Sequence, residues 1–158
     1  MRIDDATPED IRHVALNMRD SDYAEFLAVS GAADREQLAD ALVARFKGVN
    51  GVLVGAMDEP VCIGGVIETR PNVITLLFFA TDRFPEISFG ITRFITAQLF
   101  PRLREAGVHR IEATAMCKHH HAQRWLKILG LTRETGVLRG YGRGGEGYYM
   151  FSWVDPCL

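Results

Sequence analysis

The sequence predicts an α/β fold of the α+β kind: a twisted mixed sheet with one central parallel strand pair and helices on both faces. Three observations predict it. Strand-like and helix-like segments follow the order β-α-α-β-β-β-α-β-α-β-β, which mixes hairpins with crossovers. Two apolar runs, Val52–Met57 and Val61–Glu68, are joined by Asp58-Glu59-Pro60 at hairpin spacing. Two more runs, Asn72–Ala80 and Val108–Met116, flank a long helical pattern, the layout of a right-handed βαβ unit. No repeat, low-complexity block or linker interrupts the 158 residues, so residues 1–158 read as one domain.

A short first strand begins at Ile3. Thr7-Pro8-Glu9-Asp10 then reads as a helix start, because Thr7 can cap free N–H groups, Pro8 suits the first turn and the acids suit the positive helix end. Ile11, Val14, Ala15 and Met18 follow at helical spacing. A second helix opens at Asp34, with Gln37 at the capping-box position, a stripe of Leu38, Ala41, Leu42 and Phe46, and Gly48 at its end. After the hairpin, Asn72–Ala80 is almost continuously apolar and reads as a strand covered on both faces. Ile91, Phe94, Ile95 and Leu99 mark the long helix, which stops near Gly107 and carries a kink or break at Pro101. Ala122, Trp125, Leu126 and Leu129 give a short helix closed by Gly130, with Trp125 facing the core. Val137–Tyr141 and Tyr148–Val154 read as a closing hairpin around "GRGGEG", which joins two strands and is therefore a turn rather than a nucleotide loop.

Composition excludes several classes. At 47% hydrophobic and 24% charged, the chain is globular rather than disordered. A net charge of -2 argues against nucleic-acid binding, and Arg102, Arg104 and Arg110 read as solvated surface. Cys62, Cys117 and Cys157 form no C-x-x-C pair, which fits a reducing compartment without disulfides. The opening MRIDDATPED is polar and acidic, unlike a signal peptide, and Val73–Ala80 is too short to span a bilayer. The expectation is a cytoplasmic protein with no membrane or nucleic-acid partner.

Residues 121–154 read HAQRWLKILGLTRETGVLRGYGRGGEGYYMFSWV. They contain an A-x-R-x-x-x-x-L-G-[FL] pattern, filled by Ala122, Arg124, Leu129, Gly130 and Leu131, followed by "VLRGYG" and a "GE-Y" turn. With the element order and the opening "IDDATPEDI", this resembles the GNAT superfamily of acyl-CoA-dependent N-acetyltransferases. The loop's departure from the family pattern resembles diverged GNAT-like proteins of bacteriophages. The resemblance implies transfer of an acyl group from acetyl-CoA or another acyl-CoA to an amine of a small molecule or protein, in a bacterial or phage-infected cytoplasm. It also leaves an alternative, a catalytically degenerate GNAT-fold protein that binds a host or virion protein.

The resemblance implies a coenzyme A site between the splayed parallel strands, with its pantetheine arm along Phe79, Ala80 and Thr81. Its pyrophosphate would meet Ser88, Phe89, Gly90 and Ile91, with charge from Arg83, and Arg124 fills the motif's arginine. The family loop R/Q-x-x-G-x-G/A is poorly kept in "TDRFPEISFGITRF": Gly90 takes the last position, Ser88 replaces a glycine, and Pro85 lacks an N–H. Two readings stay open. Either residues 88–91 present N–H donors at a helix start, or Ser88 caps the helix and Phe89 packs in the core.

For chemistry, the resemblance aligns Leu126 with the tyrosine that commonly protonates the leaving thiolate, and His119 with a common asparagine. His119 and the strand carboxylate Glu112 are the candidate catalytic residues, with Glu68 a second strand carboxylate. Adjacent residues of His119-His120-His121 do not share a helix face, so no metal site is expected there. Cys117 reads as packing rather than a nucleophile. Tyr141, Tyr148, Tyr149 and Trp153 line the last hairpin, beside the acceptor site in the family or as a protein-binding face.

Overall fold

The computed structural model describes residues 1–134 and 136–158. Its strands form one seven-stranded mixed sheet in the order β1-β2-β3-β4-β5-β7-β6. The strands are β1 (Arg2–Asp5), β2 (Val52–Ala56), β3 (Pro60–Arg70), β4 (Val73–Ala80), β5 (Arg110–Met116), β6 (Thr132–Arg133) and β7 (Tyr148–Val154). As expected, β4 and β5 are parallel neighbours, and β5 pairs antiparallel with β7. Residue contacts gather the chain into two compact units, residues 1–66 with 77–89, and residues 67–76 with 90–158.

The first unit carries α1 (Pro8–Asn17), α2 (Asp20–Ala28) and α3 (Arg35–Phe46). Thr7 caps α1 in a full capping box: its hydroxyl accepts from the Asp10 N–H at 3.1 Å, and the Asp10 carboxylate accepts from the Thr7 N–H at 2.9 Å. Asp34 caps α3, but the Gln37 side chain reaches one residue further back than a capping box requires, to the Ala33 N–H at 3.0 Å. Ile11, Val14 and Ala15 of α1 are fully buried, and α1 packs on α3. The buried stripe of α3 is Leu38, Ala39, Leu42 and Phe46; Ala41 is exposed, one step round the helix from the face expected of it.

Helix α2 has no counterpart among the expected elements. Only Asp22 and Ala28 of its nine residues are buried, so it has no apolar stripe to reveal it. Arg35 holds its start in place, donating to the Met18 carbonyl at 2.8 Å and to Asp20 at 2.9 Å while its guanidinium lies 4.4 Å from the Tyr23 ring centroid.

In the second unit, β5 and β7 pair over seven registers, from Arg110↔Val154 to Met116↔Tyr148. Ile111, Ala115 and Phe151 are fully buried there. The closing hairpin differs from expectation. The partner of β7 is Thr132–Arg133, and Leu138 makes only an isolated bridge to Tyr148. Glu146 explains why 137–147 is a loop instead: its carboxylate accepts from the Gly144 N–H at 2.9 Å, and a Cβ at Gly142 would lie 2.2 Å from that same group. The short helix α6 (His120–Ile128) ends as expected at Gly130, whose φ of 95° suits glycine.

The long helix is continuous from Ser88 to Glu105 but changes pitch: α4 (Ser88–Phe94), a π-helical stretch (Ile95–Leu99) and α5 (Phe100–Glu105). Pro101 has no N–H and its ring would crowd the carbonyl four residues earlier. The chain widens just before it, and the Phe100 N–H reaches back five residues to the Ile95 carbonyl. The expected break is therefore a π-bulge. Among the described residues no helix is long and apolar enough to cross a membrane.

The capping box gives a direct test of α1. Thr7→Ala should lower unfolding free energy by about 1 kcal/mol, measured by urea denaturation, while Thr7→Ser should leave it nearly unchanged.

Candidate functional site

The end of β4 is polar in its contacts and apolar in its side chains. Phe79 and Ala80 are fully buried, and the Phe79 ring meets Phe26 edge-on at 5.3 Å. The strand's middle, Thr75 to Phe78, is only half-buried, contrary to the expectation of a strand covered throughout. Its pairing with β5 covers three registers, Val73↔Arg110 to Thr75↔Glu112. At the far end, the Ala80 N–H donates to the Asp22 carboxylate at 2.9 Å, and the Ala80 carbonyl accepts from the Arg19 N–H at 2.9 Å. The Thr81 N–H turns the other way, to the Val61 carbonyl at 2.9 Å.

The loop after β4 is a single turn of 3-10 helix, Phe84–Glu86, begun by the Thr81 hydroxyl accepting from the Arg83 N–H at 3.3 Å. Phe84 and Ile87 anchor it in the interior. Phe89 is 80% exposed, so the reading that packs it in the core is overturned. Ile87 and Ile91 take the buried positions instead, and the helix rotation between them turns Phe89 outward. The Ser88 hydroxyl donates to the Pro85 carbonyl at 3.3 Å. Helix geometry leaves the first-turn N–H groups of Phe89 and Gly90 without intrahelical acceptors, while Ile91, the fourth residue of α4, is placed to give its N–H to the helix.

Arg83 is surrounded by carboxylates, at 2.9 Å from Asp58, 3.1 Å from Glu59 and 2.9 Å from Glu86. Its hydrogen bonds to Glu86, Glu59 and Asp58 raise its pKa, and those to Asp58 and Glu86 hold both carboxyls below their ordinary values. Arg83 is thus a permanent cation whose charge is more than matched locally. Arg124 is exposed on α6, with a guanidinium nitrogen 3.1 Å from His121 Nδ1.

His119 is the buried N-cap residue of α6, while His120 and His121 are exposed. Leu126, at the expected tyrosine position, is buried. Trp125 is half-buried rather than in the core, and its indole N–H donates to the Thr92 hydroxyl at 2.9 Å. Glu112 is buried and paired, 2.7 Å from Arg110 and 3.4 Å from Arg70. Roughly 13 Å of strand separates Glu112 from Met116, and His119 lies beyond Met116. The two catalytic candidates therefore do not converge. Glu68 accepts from the Asn72 N–H at 3.0 Å, which supports the left-handed φ of 63° at Asn72. Burial pushes the Cys62 thiol up to about 12, which makes it inert.

The aromatic residues of the last strand are largely used. Tyr148 is buried with its ring 4.8 Å from Tyr141; Arg133 covers Tyr149 at 4.3 Å, and Arg104 covers Trp153 at 4.3 Å. Tyr141 alone of the four is exposed.

No protein-family model matches the chain, and no curated protein sequence does. Solved structures do. The ribosomal-protein-alanine N-acetyltransferase of Brucella melitensis is 19% identical with a TM-score of 0.68, covering 98% of this chain and 99% of that one. The chain has the GNAT fold. An acetyltransferase of the GNAT family from Bacillus anthracis has a TM-score of 0.70 at 15% identity, covering 96% of this chain and 93% of that one. A GNAT superfamily phosphinothricin acetyltransferase of Sinorhizobium meliloti, in complex with acetyl-CoA, has a TM-score of 0.70 at 15% identity, covering 99% and 91%.

The second unit holds a charge ladder with a defined pH response. Glu134 lies well below its ordinary 4.5 because the Ser152 hydroxyl and Arg110 stabilise the carboxylate. A depressed folded pKa contributes stability that is present above the unfolded value and lost as pH falls through the folded one. Unfolding free energy should therefore drop as pH falls below about 4.5. Glu134→Gln should shallow that slope in denaturant titrations at pH 5 and pH 3.

Proposed function

We propose that the protein is an acyl-CoA-dependent N-acyltransferase, transferring the acyl group of acetyl-CoA or a similar thioester to an amine of a small molecule or protein. One observation carries this reading. The parallel pair β4–β5 holds for three registers, and β4 then runs through a single turn into a helix start, within a fold shared with an acetyl-CoA complex. The amine nitrogen attacks the thioester carbonyl, the C–S bond breaks, and the thiolate takes a proton while the nitrogen loses one.

The residues present fit a shallow phosphate site. The N–H groups of Phe89 and Gly90 and the helix dipole would face the pyrophosphate, and Gly90 leaves room for close approach. The Ser88 hydroxyl is turned to Pro85, and Arg83 is matched by acids, so neither adds much attraction. The pantetheine arm would run along the end of β4. Of the proton-transfer candidates, His119 is preferred to Glu112, whose carboxylate is held by two arginines. Leu126 has no proton to give. Coupling to a cytoplasmic amine pool would suit this chemistry.

A second reading is favoured by the neutralised Arg83 and by Leu126: a catalytically degenerate GNAT-fold protein, of the kind bacteriophages encode, that binds a host or virion protein. Pull-down from bacterial lysate separates the two. A specific partner retained without acetyl-CoA supports the binder, and acyl transfer to lysate amines supports the enzyme.

Calorimetric titration should give an acetyl-CoA dissociation constant of roughly tens to hundreds of micromolar, weakening with salt because little burial shields the phosphates. Ser88→Ala should cost at most about 1 kcal/mol of binding. Gly90→Asp should abolish it by charge repulsion. Absence of heat at millimolar acetyl-CoA would remove the acyltransferase reading.

A further inference from the structure

The edge of β4 opposite β3 is not left open at its end. Met18 bridges Thr81 in antiparallel fashion, the Arg19 N–H takes the Ala80 carbonyl at 2.9 Å, and the Asp22 carboxylate takes the Ala80 N–H at 2.9 Å. An extended amide-bearing ligand lying along that edge needs the same N–H, because strand-like pairing satisfies alternate residues on one side. Asp22 supplies the acceptor oxygen that a ligand amide carbonyl would supply.

We propose that Asp22 is a built-in occupant of the β4 edge, competing with the acyl-pantetheine arm of acyl-CoA for the N–H of Ala80. The inference rests on the acyltransferase reading and deepens it. The competitor is well held. Asp22 is 3% exposed, and Arg19 grips both carboxylate oxygens at 2.8 and 3.1 Å. The turn behind it is stapled by Arg35 to the Met18 carbonyl and Asp20. The backbone of the turn is held independently of Asp22, so the N–H is released when the Asp22 side chain leaves it. Arg19 has a side chain 24% exposed, so it can turn to solvent when its partner is gone. A charged acceptor on a buried N–H is a stronger bond than a neutral amide makes, so the arm pays a penalty in the native chain.

The test compares acetyl-CoA with adenosine 3′-phosphate 5′-diphosphate, the nucleotide half without a pantetheine arm, by calorimetry on wild type, Asp22→Ala and Asp22→Asn. The expected result is acetyl-CoA binding tightened by about tenfold in Asp22→Ala, a smaller gain in Asp22→Asn, and unchanged affinity for the nucleotide half. Asp22→Asn keeps the side chain's size and one acceptor, so it reads the same effect if Asp22→Ala does not fold. Acetyl-CoA binding that is unchanged or weakened in a folded variant overturns the competition while leaving the acyltransferase reading intact. Equal tightening of both ligands also overturns it, because the effect would then not belong to the arm. Failure of acetyl-CoA to bind any of the three proteins overturns both readings together.

Discussion

A buried backbone must be hydrogen-bonded, and on one edge the end of β4 meets that demand with a helix start in place of a neighbouring strand. Ala80 is fully buried, yet its N–H and carbonyl are satisfied by a helix start, through Asp22 and the Arg19 backbone. Much of the first unit follows from this. The Asp22 carboxylate holds Arg19, Arg19 lies over the Phe84 ring at 5.3 Å, and Arg35 fixes the turn that presents both. The strand end, the turn of 3-10 helix and the first turn of α4 are thus positioned by one carboxylate and two guanidinium groups rather than by apolar packing alone.

Electrostatics then decide what the loop can attract. Three carboxylates around Arg83 leave that corner acidic, and an exposed cluster of this sort contributes modestly to stability. In the proposed acyl-CoA site, attraction for the phosphates would fall to the helix end, whose partial charge does not depend on side-chain identity. Such a site tolerates the loss of glycines and of a basic residue, at the expense of depth and of resistance to salt.

In the second unit, charge is spent on structure. Glu112, Arg110, Arg70 and Glu134 neutralise one another beside β5, with the Ser152 hydroxyl 2.8 Å from Glu134. Arginine also covers Tyr149 and Trp153. Among the described residues, the carboxylates of this surface are held by arginines, and two of its aromatic rings are covered.

Features that depend on a few neighbouring residues were determined by the sequence alone. The caps at Thr7 and Asp34, the hairpin at Asp58-Glu59 and the stop at Gly130 follow from local hydrogen bonding, φ preference and hydrophobic period, and the parallel pair follows from the strand-helix-strand order and its right-handed crossover. The candidate loop was legible for the same reason, as a strand followed by a helix start. Tertiary structure decided what sequence spacing does not encode. It made α2 a helix with a buried aspartate on a strand edge 58 residues away, turned Phe89 outward, set Asp58 and Glu59 of the β2–β3 hairpin beside Arg83, and matched β7 with Thr132–Arg133. Each of these depends on which distant polar group meets which, and a buried hydrogen bond or ion pair between remote residues leaves no periodic trace in the chain.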